Sequence, residues 1–239
     1  MGLLHDEGRG LSLARNPAVA HLHSEWVVFI DDDCHVGERF AEDMRTVLDA
    51  HSDAAFVSPY VDAPDDGTTD GLLVTTFTVA EEIVRRGRWT PPWSIGFGVC
   101  FAVRRDWVER LGGWDERLGA GTTPFCAAED MDFNFRLLKQ GGIAVATPAV
   151  RVLHSQWRSR SEMIDLSEGY AAASAGLACK HMLSGDPAGG LWLWGLEGLA
   201  AVRMLASAGR RRSRLRARVG AARLQGHIVG TARGLRTTW

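Results

Sequence analysis

Three adjacent carboxylates, Asp31-Asp32-Asp33, directly follow the apolar run Trp26-Val27-Val28-Phe29-Ile30. Like charges so close raise one another's cost of ionisation. A hard divalent cation, which prefers oxygen ligands, would offset that repulsion. The plainer account is a solvated turn whose last Asp caps the next helix. Two later features bear on the choice. Glu129-Asp130 stands where a helical pattern begins, and His154 closes an extended apolar run. A metal held by Asp33 and His154, beside a separate carboxylate at Asp130, would form a reaction centre. The cation would offset charge on a leaving group while the carboxylate accepts a proton from an attacking hydroxyl. Singly, Glu129 and Asp130 could only complement the positive end of their helix, and His154 could be an ordinary strand-end histidine. The joint arrangement is what points to a site.

Positioning these groups requires an α/β scaffold. The run 26–30, rich in β-branched and aromatic residues, reads as a buried strand whose carboxyl end carries the acids. Around it the pattern predicts helices at 11–23 and 38–50, a strand at 54–58, and a loop at 62–70. A strand or short helix follows at 72–79, then a helix at 81–86. Gly96 to Val103 reads as a strand, 106–111 as a helix, and 112–127 as a Gly-rich loop, of which Gly119 to Cys126 has the glycine content of a lid. Met131, Phe135 and Leu138 recur at helical spacing, giving a helix at 130–139. The segment 144–153 is extended with a break at Pro148, and helices at 161–183 and 190–208 precede a basic tail. The expected division is a catalytic-type domain over 1–160 and a helical extension over 161–239.

The chain has 239 residues, 46% hydrophobic and 23% charged, enough to bury a sizeable core. Its net charge of −2 conceals a split. Of 27 basic residues, ten are arginines within 203–239, a stretch with no Asp or Glu; the remaining 17 stand against 29 acids. Such a tail suits an anionic partner, whether a membrane surface, a lipid phosphate or a nucleic acid. The four scattered cysteines form no CxxC pair, and no sustained apolar segment lies within 1–16, so the expected setting is cytoplasmic. The apolar stretch 191–208 is interrupted by Glu197 and Arg203. It reads as a packed helix or an interfacial one rather than a membrane span.

Several motifs, in order, resemble the family 2 glycosyltransferases of GT-A fold. They are Gly10-Leu11-Ser12-Leu13-Ala14-Arg15-Asn16, Val28-Phe29-Ile30-Asp31-Asp32-Asp33, Gly112-Gly113-Trp114-Asp115-Glu116, Ala128-Glu129-Asp130 with Asp132 and Arg136, and Val152-Leu153-His154. The likeness covers roughly 8–161, and the ordered set is far more specific than any one piece. It implies a Rossmann-like mixed sheet flanked by helices. It also implies a metal-dependent inverting enzyme that moves a sugar from a nucleotide-diphosphate donor to a glycan or lipid-linked hydroxyl acceptor. By resemblance, Asp33 and His154 would hold Mg²⁺ or Mn²⁺, with Asp31 near the metal's water shell or the ribose. Asp130 would be the general base, with Glu129 helping to orient the acceptor. Arg15, Asn16, Asp31, Asp32 and Gly96 would lie around the donor. Trp93 and Trp114 could stack on sugar or fill the core.

The family's opening βα units have no counterpart here, so the sheet is expected to be amino-terminally truncated with an uncovered edge: Met1 is an internal start in a longer gene, the chain is a fragment, or another chain supplies the missing half. Alternatives of other classes are a non-catalytic, glycosyltransferase-like scaffold docking on membranes through the arginine tail, and a metal-dependent phosphoesterase. The tail would allow peripheral contact at the inner face of a membrane. Nucleic-acid binding rests on arginine content alone and is not expected.

Overall fold

The computed structural model describes residues 10–64, the backbone of 72–73, and residues 75–239. In chain order the elements are α1 (Leu11–Ala20), β1 (Trp26–Ile30), β2 (Cys34–Val36), α2 (Phe40–Ala50) and β3 (Phe56–Asp62). Next come β4 (Leu72–Leu73), β5 (Ile83–Arg85), β6 (Cys100–Arg104), α3 (Arg105–Leu111), α4 (Glu129–Lys139), β7 (Ala144–His154) and β8 (Trp157–Arg158). Three long helices end the chain: α5 (Arg160–Leu183), α6 (Pro187–Arg210) and α7 (Arg214–Gly234). The start of the first motif before Gly10, and most of the loop expected at 62–70, lie outside the described residues. So does residue 74 of the element expected at 72–79.

Two compact units emerge. One holds residues 15–114 and 130–157; the other holds 10–14, 115–129 and 158–239 among the described residues. The first unit is built on a mixed sheet in the order β1-β6-β3-β7-β2, with β5 also on β7. Strands β3 and β7 run parallel, whereas β6 is antiparallel to both β1 and β3. Side chains alternate across this sheet. Phe101 and Val103 of β6 face a core completed by Val108 of α3 and by Phe133 and Leu137 of α4. Ala102 faces the other side, against Met44, Val47 and Leu48 of α2.

Two local expectations fail. A helix is expected at 81–86, yet Ile83–Arg85 is a strand antiparallel to β7. Pairing with the long strand outweighs a weak local propensity. Pro148 does not break β7 either. The ladder with β3 jumps from Pro59↔Thr147 to Tyr60↔Arg151, and the residues between are absorbed as a bulge.

In the second unit, α5, α6 and α7 pack as a helical bundle. Helix α5 begins with a reciprocal cap: Glu162 N–H donates to Ser159 Oγ at 3.3 Å, and Ser159 N–H donates to Glu162 Oε2 at 2.7 Å. Asp186 caps α6 by accepting from Gly189 N–H at 3.0 Å. The expected basic tail is itself helical. Gly226 and Gly230 of α7 let it touch α5, since a Cβ at either would lie 2.1 Å from a carbonyl oxygen, of Glu168 or Ala172 respectively.

Candidate functional site

The acids after β1 are placed by a strand too short to read from sequence. Cys34–Val36 pairs antiparallel with the end of β7, setting Cys34 opposite His154. Ser155 N–H donates to Asp33 O at 3.0 Å, which closes the ladder. As a result Asp33 Oδ1 lies 3.1 Å from His154 Nε2. Neither atom is reached by solvent, and neither has a hydrogen-bond partner. His154 Nδ1 faces the Thr75 carbonyl oxygen at 3.3 Å. Donation there puts a proton on Nδ1, so in the neutral imidazole, the form that ligates metals, Nε2 carries the lone pair. Thr75 holds a left-handed φ of 66°, uncommon for a β-branched residue, to present that carbonyl.

Two lone-pair atoms thus face each other, an arrangement that a shared cation relieves. Neighbouring ligands of an octahedral ion with ~2.1 Å bonds are about 3 Å apart, so the donors present fit Mg²⁺ or Mn²⁺. Cys34 belongs to the same cluster, within 4.8 Å. Burial, then Asp31 and Asp33, push its thiol up to about 11. It remains a protonated neighbour unsuited to a hard cation.

Asp31 and Asp130 converge on one stretch of backbone. Asp31 N–H donates to Val99 O at 2.9 Å, and Gly98 N–H donates to Asp130 Oδ2 at 2.9 Å. Asp130 Oδ1 accepts from Met131 N–H at 2.7 Å. The carboxylate of Asp130 is therefore oriented through both oxygens at the head of α4, while each oxygen keeps a lone pair for a further partner. Burial raises Asp31 to about 6, with Arg15 opposing the shift and Asp33 adding to it. Arg15 is almost fully buried and donates from Nη2 to Gly98 O at 2.9 Å. Its guanidinium sits 5.4 to 5.8 Å from the ring centroids of Phe29, Phe101 and Trp114. The structure thus brings Asp31, Asp33, Asp130, His154 and Arg15 around residues 98–99 and the β2–β7 ladder, all within the sheet unit.

Other expected residues have plainer surroundings. Asn16 spends its side-chain amide on Trp114, donating to its carbonyl and accepting from its N–H, both at 2.9 Å. Trp114 is core: it is 2% exposed and stacks on Phe133 at 4.5 Å and 16°, so it presents no face to a sugar. Trp93 remains 37% exposed. Asp32 is exposed on its turn. Gly96 passes close against β3, since a Cβ there would fall 2.1 Å from Ser58 Oγ.

Glu129 is buried in the second unit, with Gly119 packed on it so closely that a Cβ would sit 3.2 Å from Glu129 Cγ. The loop expected to act as a lid is anchored by Phe125, which is buried and stacked on Trp239 at 5.5 Å.

Sequence reasoning missed Asn134. Fully within α4, it donates to Pro92 O at 3.1 Å and Gly96 O at 3.2 Å, tying the segment before Gly98 to the helix that carries Asp130. An amide four residues after Asp130, on the same helix face, was the available signal.

A mixed sheet flanked by helices, with acids after one strand, an acid at a helix start and a histidine at a late strand end, is the arrangement of a GT-A fold. Residues 26–165 match the glycosyl transferase family group 2, and the chain belongs to that family. Over 127 residues it is 32% identical to the N-acetylglucosaminyl-diphospho-decaprenol L-rhamnosyltransferase of Mycobacterium tuberculosis, in strain CDC 1551 / Oshkosh and in strain ATCC 25618 / H37Rv alike. That match takes in 50% of this chain and 37% of the relatives' length. The backbone is similar to that of a mannosyltransferase from Pyrobaculum calidifontis solved in complex with GDP-Man and Mn²⁺. That likeness has a TM-score of 0.51 and 19% identity over 95% of this chain and 66% of the other, and it is a likeness of fold.

Proposed function

We propose that this chain carries the acceptor-activating and cation-binding part of an inverting glycosyltransferase. It would use a nucleotide-diphosphate sugar and a hydroxyl acceptor on a glycan or a lipid-linked sugar. The observation that carries this reading is the convergence of Asp31 and Asp130 on adjacent residues, Val99 and Gly98, beside the orphaned Asp33–His154 pair. Family membership supports a nucleotide-sugar donor. The name of the curated relatives, which specifies a diphospho-decaprenol-linked sugar, supports a lipid-linked acceptor.

Asp33 and His154 would hold the divalent cation, and Asp31 would engage its water shell. Such an ion supplies electrostatic compensation for a departing diphosphate. Asp130, aimed by Gly98 and Met131 N–H groups, accepts the proton of the attacking hydroxyl at a free lone pair. Arg15 holds the Gly98 carbonyl and balances Asp31, fixing the peptide on which both acids rest. Asn134 and Asn16 hold the flanking backbone.

The test is sugar transfer by the intact protein onto a polyprenyl-diphosphate-linked acceptor. Asp130→Asn should lower the rate by about 10²–10⁴-fold while leaving Mn²⁺ binding in place. Transfer by that variant at the parental rate would remove Asp130 as the base.

A further inference from the structure

Helix α6 is apolar on two sides. Leu193, Glu197 and Ala201 are buried, and Arg223 meets the Glu197 carboxylate. The opposite face carries Leu191, Gly195, Leu199, Val202 and Ala206, which fall within an arc of about 80° at 100° per residue. This face meets solvent: Leu191 is 61%, Val202 54% and Leu199 43% exposed. Bundle packing gives no reason for an outward apolar stripe, and such stripes mark surfaces that meet something apolar.

Where α6 ends, charge takes over. Arg210, Arg211, Arg212, Arg214, Arg216 and Arg218 are all exposed around the turn into α7. Among the described residues none of the six forms an ion pair. No acid lies anywhere in 203–239 to neutralise them.

We propose that the α6–α7 hairpin docks on an anionic lipid surface. The stripe Leu191, Leu199 and Val202 settles into the boundary between headgroups and acyl chains, and the arginines at the turn take lipid phosphates. Charge complementarity selects this occupant. A second copy packed in parallel would bring the same six arginines against each other, at a cost, and one packed antiparallel would leave them without an anionic partner. A nucleic acid would engage the arginines and leave the stripe in water. Among the described residues no helix is long and apolar enough to cross a membrane, so α6 lies along the surface. The proposal stands apart from sugar transfer, because no donor, cation or acid of the sheet unit enters it.

The experiment is flotation of the intact chain with phosphatidylcholine vesicles, with and without phosphatidylglycerol, in EDTA and without nucleotide sugar. The chain should float with the phosphatidylglycerol vesicles only, and release as salt rises. L191D/V202D should abolish flotation. R211Q/R212Q/R214Q should lower the partition coefficient by about a hundredfold, at about tenfold or less per arginine. Those arginines are exposed, so the glutamine variant keeps its fold and remains decisive if the aspartates unfold the bundle. No flotation at low salt would overturn the proposal, as would equal flotation of the glutamine variant and the parent. It would also fall to a nucleic-acid complex, or to a dimer that L191D/V202D dissociates, found in place of vesicle binding.

Discussion

Asp132 and Asp33 each face a nitrogen at short range, 2.7 Å to Arg136 Nε and 3.1 Å to His154 Nε2, and they are held in opposite ways. The first pair is closed. Arg136 donates to the Asp132 carboxylate and sends its two other nitrogens to Leu111 O at 2.8 Å and Gly113 O at 2.9 Å. It thereby fastens the Gly112-Gly113-Trp114 turn to α4, with all three guanidinium nitrogens engaged. The second pair is open, since its facing atoms are buried and lack hydrogen bonds. Completeness of hydrogen bonding, more than distance, separates a structural ion pair from one poised for a ligand.

The comparison predicts different costs. Arg136→Met removes the ion-pair partner of the fully buried Asp132 carboxylate and should cost about 3–5 kcal/mol in urea denaturation, most of it recovered by adding Asp132→Leu. Asp33→Asn in the cation-free protein should cost less than about 1 kcal/mol, because it removes a facing lone pair rather than a bond. Equal costs for the two substitutions would erase the distinction.

Asp115 sharpens the contrast with a second closed acid. Burial alone would raise it, but hydrogen bonds from Arg117 and Lys180 outweigh burial and hold it at about 2. Lys180 Nζ lies 2.7 Å from Asp115 Oδ2. The folded value lies below the ordinary 3.8, so the unfolded chain takes up the proton first. The stabilisation is full above about pH 4 and is lost as pH falls through about 2, a change of about 2 kcal/mol. Asp115→Asn should flatten the stability profile over that window. An unchanged slope would show that the ion pairs do not set it.

Asn16 gives a modest effect, between those of Arg136 and Asp33. Its alanine variant loses both contacts to the Trp114 backbone and should destabilise by about 1–2 kcal/mol. Donor affinity should change little if the amide only holds the turn, so a large loss of affinity at unchanged stability would return Asn16 to the donor site.

These contrasts also show what was legible in the residues. Strand 26–30, the helix carrying Asp130 and the end of β7 at His154 follow from long apolar patterns with few competing readings. The three-residue strand Cys34–Val36 has no such pattern, yet its register against β7 is what delivers Asp33 to His154. Likewise Glu81-Glu82 and Arg85-Arg86 suit a helix locally, and only the exposed side of β7 makes Ile83–Arg85 extended. Trp114 could have stacked on sugar or on Phe133, and no linear pattern distinguishes these. The arginine tail announced its charge, whereas the glycines that coil it into α7 gain meaning only from the α5 carbonyls they touch. Short-range chemistry was readable, and contacts set by distant partners were not.

The account rests most directly on the Asp33–His154 pair. Mn²⁺ titration of the intact protein, followed by electron paramagnetic resonance of the free ion, measures it without donor or acceptor. One bound ion per chain is expected, weakened about tenfold or more by Asp33→Asn and by His154→Ala and left unchanged by Asp130→Asn. Parental Mn²⁺ binding by both the Asp33 and His154 variants would contradict it.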